Sequence, residues 1–154
     1  MRILLLILVL FAFNNVYSQI VLPVTASEYV KTIEDAITLI KKTDTNVYNR
    51  LDLMVDTIDM WLGTFSSCDY GFVFISRDDI LLGVQNVAAV LVHESQHIWI
   101  WENEIKLNHG QEEVVCYQYE LNFLNKVHNC DWRLKKHAVQ NIKVFSQEAW
   151  NPEE

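Results

Sequence analysis

Apolar residues recur at helical spacing along most of this chain, and helix-breaking residues are scarce, with 4 Gly and 2 Pro in 154 residues. The capping pattern T-x-x-E of Thr25 and Glu28 predicts a first helix over about Ala26 to Lys42. A second apolar stripe, from Val47 to Leu62, predicts another helix. Three further helices are expected over about Val84 to Trp101, Gln111 to Val127 and Trp132 to Gln147, the last capped by Asp131.

Two short β-prone runs precede the third helix. "GFVFIS", which begins at Gly71, and "DILLG", which begins at Asp79, flank Arg77 and Asp78 and predict a hairpin or two strands of a small sheet. Gly63 to Asp69 is rich in turn-forming residues. The pattern as a whole predicts a mainly helical α+β domain of about five helices, with a small sheet just before the central helix.

The N-terminus has the features of a secretory signal peptide. Arg2 precedes an apolar run from Ile3 to Phe13, and polar residues follow up to Ser18. A membrane helix needs about 20 apolar residues, so we expect cleavage, with an uncleaved anchor as the alternative. We therefore expect a signal peptide over 1–18 and a single domain over 19–154, in a secreted or extracytoplasmic protein that is periplasmic if its source is bacterial.

The charge balance restricts the class of partner. The chain has 12 basic and 20 acidic residues and a net charge of −8. This balance argues against nucleic acid, or an anionic membrane after signal cleavage, as the partner.

The chain has 3 cysteines, which allow at most one intramolecular disulfide. Cys116 lies on the apolar face of a predicted helix, whereas Cys68 and Cys130 lie in loop-like segments. In an exported protein this arrangement predicts a Cys68–Cys130 disulfide and a reduced Cys116.

The central helix contains a motif with a chemical reason to be there. Five polar residues, "HESQH" from His93 to His97, interrupt an otherwise apolar segment, and buried polar groups are costly unless they are paired or ligated. His93 and His97 are four residues apart and lie on one helix face. Glu94 points about 100° away from His93, so it can serve a metal-bound water without being a ligand. This is the H-E-x-x-H arrangement of zinc hydrolases, in which the carboxylate is the general base.

A catalytic Zn²⁺ needs a third protein ligand and one open position. On the predicted helix "QEEVVCYQYELNFLNKV", helical phase puts Glu113 and Glu120 in the middle of the apolar stripe and Glu112 at its edge. We expect Glu113 to be the ligand. We expect Glu120 to accept a hydrogen bond from the other ring nitrogen of a ligating histidine. A structural ion pair of Glu113 is the alternative. His109 is a rival ligand or transition-state donor, although its place in a turn favours a solvated histidine. Cys116 is more simply a small buried apolar residue; as a fourth ligand it would close the site.

The HESQH motif, followed on the next helix by Glu113-Val-Val-Cys116-Tyr117, resembles the gluzincin branch of the zincin metallopeptidases, especially small single-domain members. The resemblance implies a zinc ion held by His93, His97 and Glu113, with Glu94 as catalytic base. It also implies that "GFVFIS" lines the cleft and holds an extended peptide.

The residues therefore predict an exported zinc metallopeptidase that acts on a peptide or protein substrate. Tyr117 is a candidate donor to the oxyanion, although a purely structural aromatic role is equally consistent with its position. The alternative function is a zinc-bearing binding protein without turnover. The two differ in whether the metal keeps an open position beside Glu94.

Overall fold

Six helices and a three-stranded sheet form the chain from Tyr29 to Trp150, the part that this computed structural model describes. The predicted signal peptide and the capping pattern of Thr25 and Glu28 lie outside these residues. The architecture is the predicted one, α+β and mainly helical. In chain order the elements are α1 (Val30–Thr43), α2 (Thr45–Met54), β1 (Thr57–Trp61), β2 (Ser67–Asp69), β3 (Phe72–Ser76), α3 (Arg77–Leu81), α4 (Val84–Glu102), α5 (His109–Leu124) and α6 (Trp132–Ala149).

The predicted second helix is shorter than its apolar stripe. Helix α2 ends at Met54, and the stripe continues through Val55 and Ile58 into strand β1. The prediction of a helix up to Leu62 is wrong beyond Met54, because strand β1 pairs with β3 over its whole length. Over a few residues, alternating and helical apolar patterns are hard to separate.

Strand β3 is the "GFVFIS" segment, and it is the central strand of the sheet. It pairs in parallel with β1 and antiparallel with β2, so the order is β1-β3-β2. The segment therefore has no open edge for an extended peptide, contrary to what the resemblance implied. Strand β2, which lies against α4, has the unpaired edge on that side of the sheet.

The "DILLG" segment is not a strand, so the expected hairpin is wrong. Ile80 and Leu81 belong to the short helix α3. Ser76 caps this helix by accepting a hydrogen bond from the Asp79 amide at 3.1 Å, and Asp78 and Asp79 occupy its first turn. Acidic residues in the first turn favour a helix over a strand.

Helix α4 is the centre of the domain. It packs against α1 and α2, the sheet and α5, and every residue from Leu91 to Ile98 is buried. Helix α6 forms an outer layer on α5. A Cβ atom at Gly110 would lie 2.7 Å from the Ala149 amide nitrogen and 3.0 Å from the Phe145 carbonyl, so glycine permits the close approach of α5 and α6.

The predicted disulfide does not form. Cys68, Cys116 and Cys130 all have free thiols. Cys68 lies in strand β2 rather than in a loop, and the Cys130 thiol contacts the Asp131 carbonyl at 3.6 Å. Among residues 29–150, no helix is long and apolar enough to cross a membrane.

Candidate metal centre

Two of the five polar residues in the centre of α4 have ordinary structural partners. The Ser95 hydroxyl donates to the Val92 carbonyl at 2.9 Å within the helix. Gln96 accepts a hydrogen bond from Arg50, whose guanidinium lies 4.6 Å from the Trp99 ring centre. The chemistry of the motif therefore rests on the remaining three residues, His93, Glu94 and His97.

The carboxylate of Glu113 lies beside the Nε2 atoms of the two histidines. The Nε2 atoms of His93 and His97 lie 3.1 Å apart. Glu113 Oε2 is 3.5 Å from the first of these nitrogens, and Glu113 Oε1 is 3.5 Å from the second. The i and i+4 positions on α4 align the imidazoles, and the packing of α5 against α4 brings the carboxylate to them.

These separations fit a tetrahedral zinc ion. Zinc binds histidine nitrogen and carboxylate oxygen at about 2.0–2.2 Å, so two ligands of a tetrahedron lie about 3.3 Å apart. The observed 3.1 and 3.5 Å bracket that distance. The donor set of two imidazoles and one carboxylate matches that of catalytic zinc sites.

A second carboxylate lies near the Nδ1 atom of each histidine. His97 Nδ1 lies 2.6 Å from Glu112 Oε1, and His93 Nδ1 lies 3.2 Å from Glu120 Oε2, with poor hydrogen-bond alignment. Such outer carboxylates fix the tautomer and the ring orientation of metal ligands. The sequence indicated this role for Glu120 but not for Glu112, because Glu112 lies at the edge of the apolar stripe.

The carboxylates make the cluster a site for positive charge. Burial by itself lowers the pKa of His93, but the carboxylates of Glu113 and Glu120 outweigh burial and raise that pKa to about 9. Burial raises the pKa of Glu113, yet the hydrogen bond from His93 and the charge on the histidines bring it below its ordinary value. The surrounding carboxylates therefore favour positive charge at the position that a divalent cation would occupy.

Glu94 lies beside the cluster rather than in it. It is buried, and it lines a cavity of about 550 Å³ together with His93 and Tyr117. Burial, followed by the charge of Glu94, raises the pKa of the Cys68 thiol on β2. Glu94 therefore lies next to the histidines and faces a space large enough for a substrate group.

Cys116 is a rival for the third ligand position. Its sulfur lies within 4.8 Å of ligand nitrogens of His93 and His97. Burial and the charge of Glu113 raise the pKa of this thiol, whereas a metal binds the thiolate. Glu113 lies 3.5 Å from each Nε2 through its two oxygens, and its pKa is lowered, so it is the third ligand that needs no deprotonation on metal binding.

Tyr117 of α5 and His137 of α6 both line the cavity. The Tyr117 ring packs 4.3 Å from the His93 ring and 5.9 Å from the His137 ring, measured between centroids. Burial, then the charge of Glu113, raises the pKa of Tyr117, so its hydroxyl keeps its proton. The sequence did not indicate His137, since no motif links it to α4. Asn141, one turn further along α6, donates to the His137 ring at 3.0 Å.

His109, a rival ligand that the sequence favoured as a solvated turn histidine, is exposed at the first residue of α5. Its ring packs 5.7 Å from that of Phe145. It is not part of the cluster that His93 and His97 form.

No protein-family model, curated protein or solved structure matches this chain significantly.

Proposed function

We propose that this chain is an exported zinc-dependent metallopeptidase, with zinc held by His93, His97 and Glu113. One observation carries the proposal. Three ligand groups converge at zinc-like separations, while Glu94 opens onto a cavity beside them. A structural site would not need a buried carboxylate adjacent to its ligands and facing free space.

Zinc at this site would polarise a substrate carbonyl and lower the pKa of a water molecule to about 7. Glu94 accepts a proton from the attacking water and passes it to the leaving amine. Tyr117 and His137 line the same cavity, and either can donate a hydrogen bond to the oxygen on which negative charge develops. Glu112 and Glu120 keep the imidazoles oriented.

The substrate in this proposal is a peptide in extended conformation. Strand β2 is an edge strand of the sheet and neighbours α4, and an exposed strand edge binds an extended backbone through main-chain hydrogen bonds. The cavity, which residues 64–66 before β2 and His137 of α6 help to line, then receives the scissile bond.

The proposal predicts that Glu94→Gln keeps zinc but loses peptide hydrolysis. Removal of a general base costs roughly 10²–10⁴-fold in rate, whereas the metal ligands are untouched. Zinc content and cleavage of a mixed peptide library are measured on the wild type, on Glu94→Gln and on Glu34→Gln, an exposed control on α1. Wild-type turnover in Glu94→Gln would show that Glu94 is not the base.

The second candidate function is a zinc-bearing binding protein without turnover. The position of Cys116 favours it, because a thiolate added to the other three ligands would fill the open coordination position. Replacement of zinc by cobalt separates the two functions. Sulfur-to-cobalt charge-transfer absorption that disappears in Cys116→Ala, with no peptide cleaved by the zinc form, would establish the closed site.

A further inference from the structure

Helix α6 has a charge opposite to that of the rest of the molecule. It carries four basic residues, Arg133, Lys135, Lys136 and Lys143, and one acidic residue, Glu148. Its net charge is therefore +3, in a chain whose net charge is −8. Because α6 is the outer layer on α5, this charge lies on one side of the molecule.

The outward side of α6 combines this charge with exposed aromatic surface. With Trp132 at 0° and about 100° per residue, Lys143 falls at about 20°, Lys136 at 40°, Val139 at −20° and Trp150 at 0°. We call these five residues the α6 outer face. All five are exposed: Trp132 by 66%, Val139 by 52% and Trp150 by 84%, and both lysines as well.

Among the residues that the structure describes, no acidic side chain of α6 lies on the α6 outer face. Glu148 falls at about 160°, on the far side of the helix from Trp132. Asp131, next to Trp132, is paired with Arg133 at 2.6 Å. The carboxylates of α5, Glu112, Glu113 and Glu120, contact His93 or His97.

We propose that the α6 outer face binds the surface of an anionic lipid bilayer. Indole rings prefer the interface between lipid headgroups and acyl chains, and lysines beside them pair with anionic headgroups. The Lys136 ammonium lies 5.6 Å from the Trp132 ring centre. The indole and the ammonium would therefore reach the same level of the membrane interface. The two indoles are about 27 Å apart along the helix, which suits a helix that lies flat on a membrane.

This inference revises the expectation based on net charge. Electrostatic interactions decay over about 8–10 Å in physiological salt, so the local charge of α6 matters more than the distant acidic residues. We favour a lipid surface over nucleic acid because Val139 adds exposed aliphatic surface between the indoles, and an aliphatic side chain is stabilised in the apolar part of a membrane interface but does not stack on a base. The inference does not depend on the metal centre.

The test is sedimentation of the full chain with vesicles of phosphatidylcholine alone and with added anionic phosphatidylglycerol. We expect binding that requires the anionic lipid and weakens in high salt. The double variant Lys136→Gln/Lys143→Gln should bind about 25-fold more weakly, at about fivefold per lysine. The double variant Trp132→Ser/Trp150→Ser should lose at least about tenfold in affinity for the vesicles. The matched control, Lys42→Gln/Lys106→Gln, removes exposed lysines outside α6 and should bind as the wild type does.

A second measurement uses the unmodified protein. On anionic vesicles its tryptophan emission should shift to shorter wavelength and lose access to a water-soluble quencher. Equal binding to neutral vesicles, unchanged binding of both α6 variants, or an equal loss in the control would overturn the proposal. So would binding to a single-stranded oligonucleotide that both α6 variants weaken, in the absence of any binding to anionic vesicles, since that result would assign the face to nucleic acid.

Discussion

At the scale of single residues, the outer carboxylates are what turns a histidine pair into a defined site. An imidazole on a helix can rotate about its side-chain bonds, and a fixed partner on its second nitrogen stops that rotation. Glu112 holds His97 at 2.6 Å, and Glu120 lies 3.2 Å from His93. The two carboxylates come from α5, the helix that also supplies Glu113.

Metal titration of three α5 variants tests these roles. We expect Glu113→Ala to lose zinc strongly, because it removes a ligand. Glu112→Ala and Glu120→Ala should each weaken zinc binding about 10- to 100-fold, because they release one imidazole. Gln118→Ala, an exposed position on the same helix, is the control and should leave affinity unchanged. Wild-type affinity in Glu113→Ala would place the third ligand elsewhere, with Cys116 the nearest candidate.

At the scale of elements, Asp44 links the start of α2 to the end of α5. Its carboxylate accepts hydrogen bonds from the amides of Asn46 and Val47 at 3.0 and 3.3 Å and so caps α2. Lys126 donates to the same carboxylate from the segment after α5. This hydrogen bond lowers the pKa of Asp44 below its ordinary value, against the opposing effect of burial.

We expect Asp44→Ala to lower the free energy of unfolding by about 1–2 kcal/mol at neutral pH through loss of the cap. Since the folded-state pKa is lowered, the charge of Asp44 stabilises the fold above its unfolded-state pKa of about 3.8, and this contribution disappears as the pH falls through the folded value. Urea unfolding at neutral pH and near pH 2 should therefore show a smaller difference between variant and wild type in acid. Asp44→Asn keeps the cap and isolates the charge. A difference that is the same at both pH values would exclude a role for the charge.

At the scale of the whole molecule, the candidate site lies between the central helix α4 and the neighbouring helix α5. His93 and His97 come from the buried helix α4, and Glu113 comes from α5, which carries α6 on its other side. A metal bound between them would therefore resist unfolding of the entire domain. Binding to the folded state alone stabilises it by about 4 kcal/mol at a thousandfold excess over Kd.

Thermal unfolding with and without zinc measures this coupling. We expect zinc to raise the Tm by roughly 10–20 °C for a domain of this size, and a chelator to reverse the change. Glu94→Gln should show the same increase as the wild type, whereas Glu113→Ala should show little of it. A wild-type Tm that does not respond to zinc would contradict the metal centre, irrespective of any peptidase activity.

What the sequence determined by itself is local. The spacing of His93 and His97 on a helix, the placement of Glu94 beside them and the cap of α6 at Asp131 follow from helical geometry and neighbouring residues. Helical phase also predicted that Glu113 and Glu120 face inward, and the structure brings both to His93. The mainly helical α+β class follows from the apolar spacing.

What only the tertiary structure decided depends on contacts between distant segments. Residues 57–61 form a strand because β3 is available to pair with them, and "GFVFIS" is a central strand because β1 and β2 flank it. The thiols stay free, Glu112 reaches His97, and His137 faces the cavity. None of these follows from residue spacing along one element, because each depends on how α4, α5, α6 and the sheet pack together, and that packing minimises the free energy of the whole core rather than of any single segment.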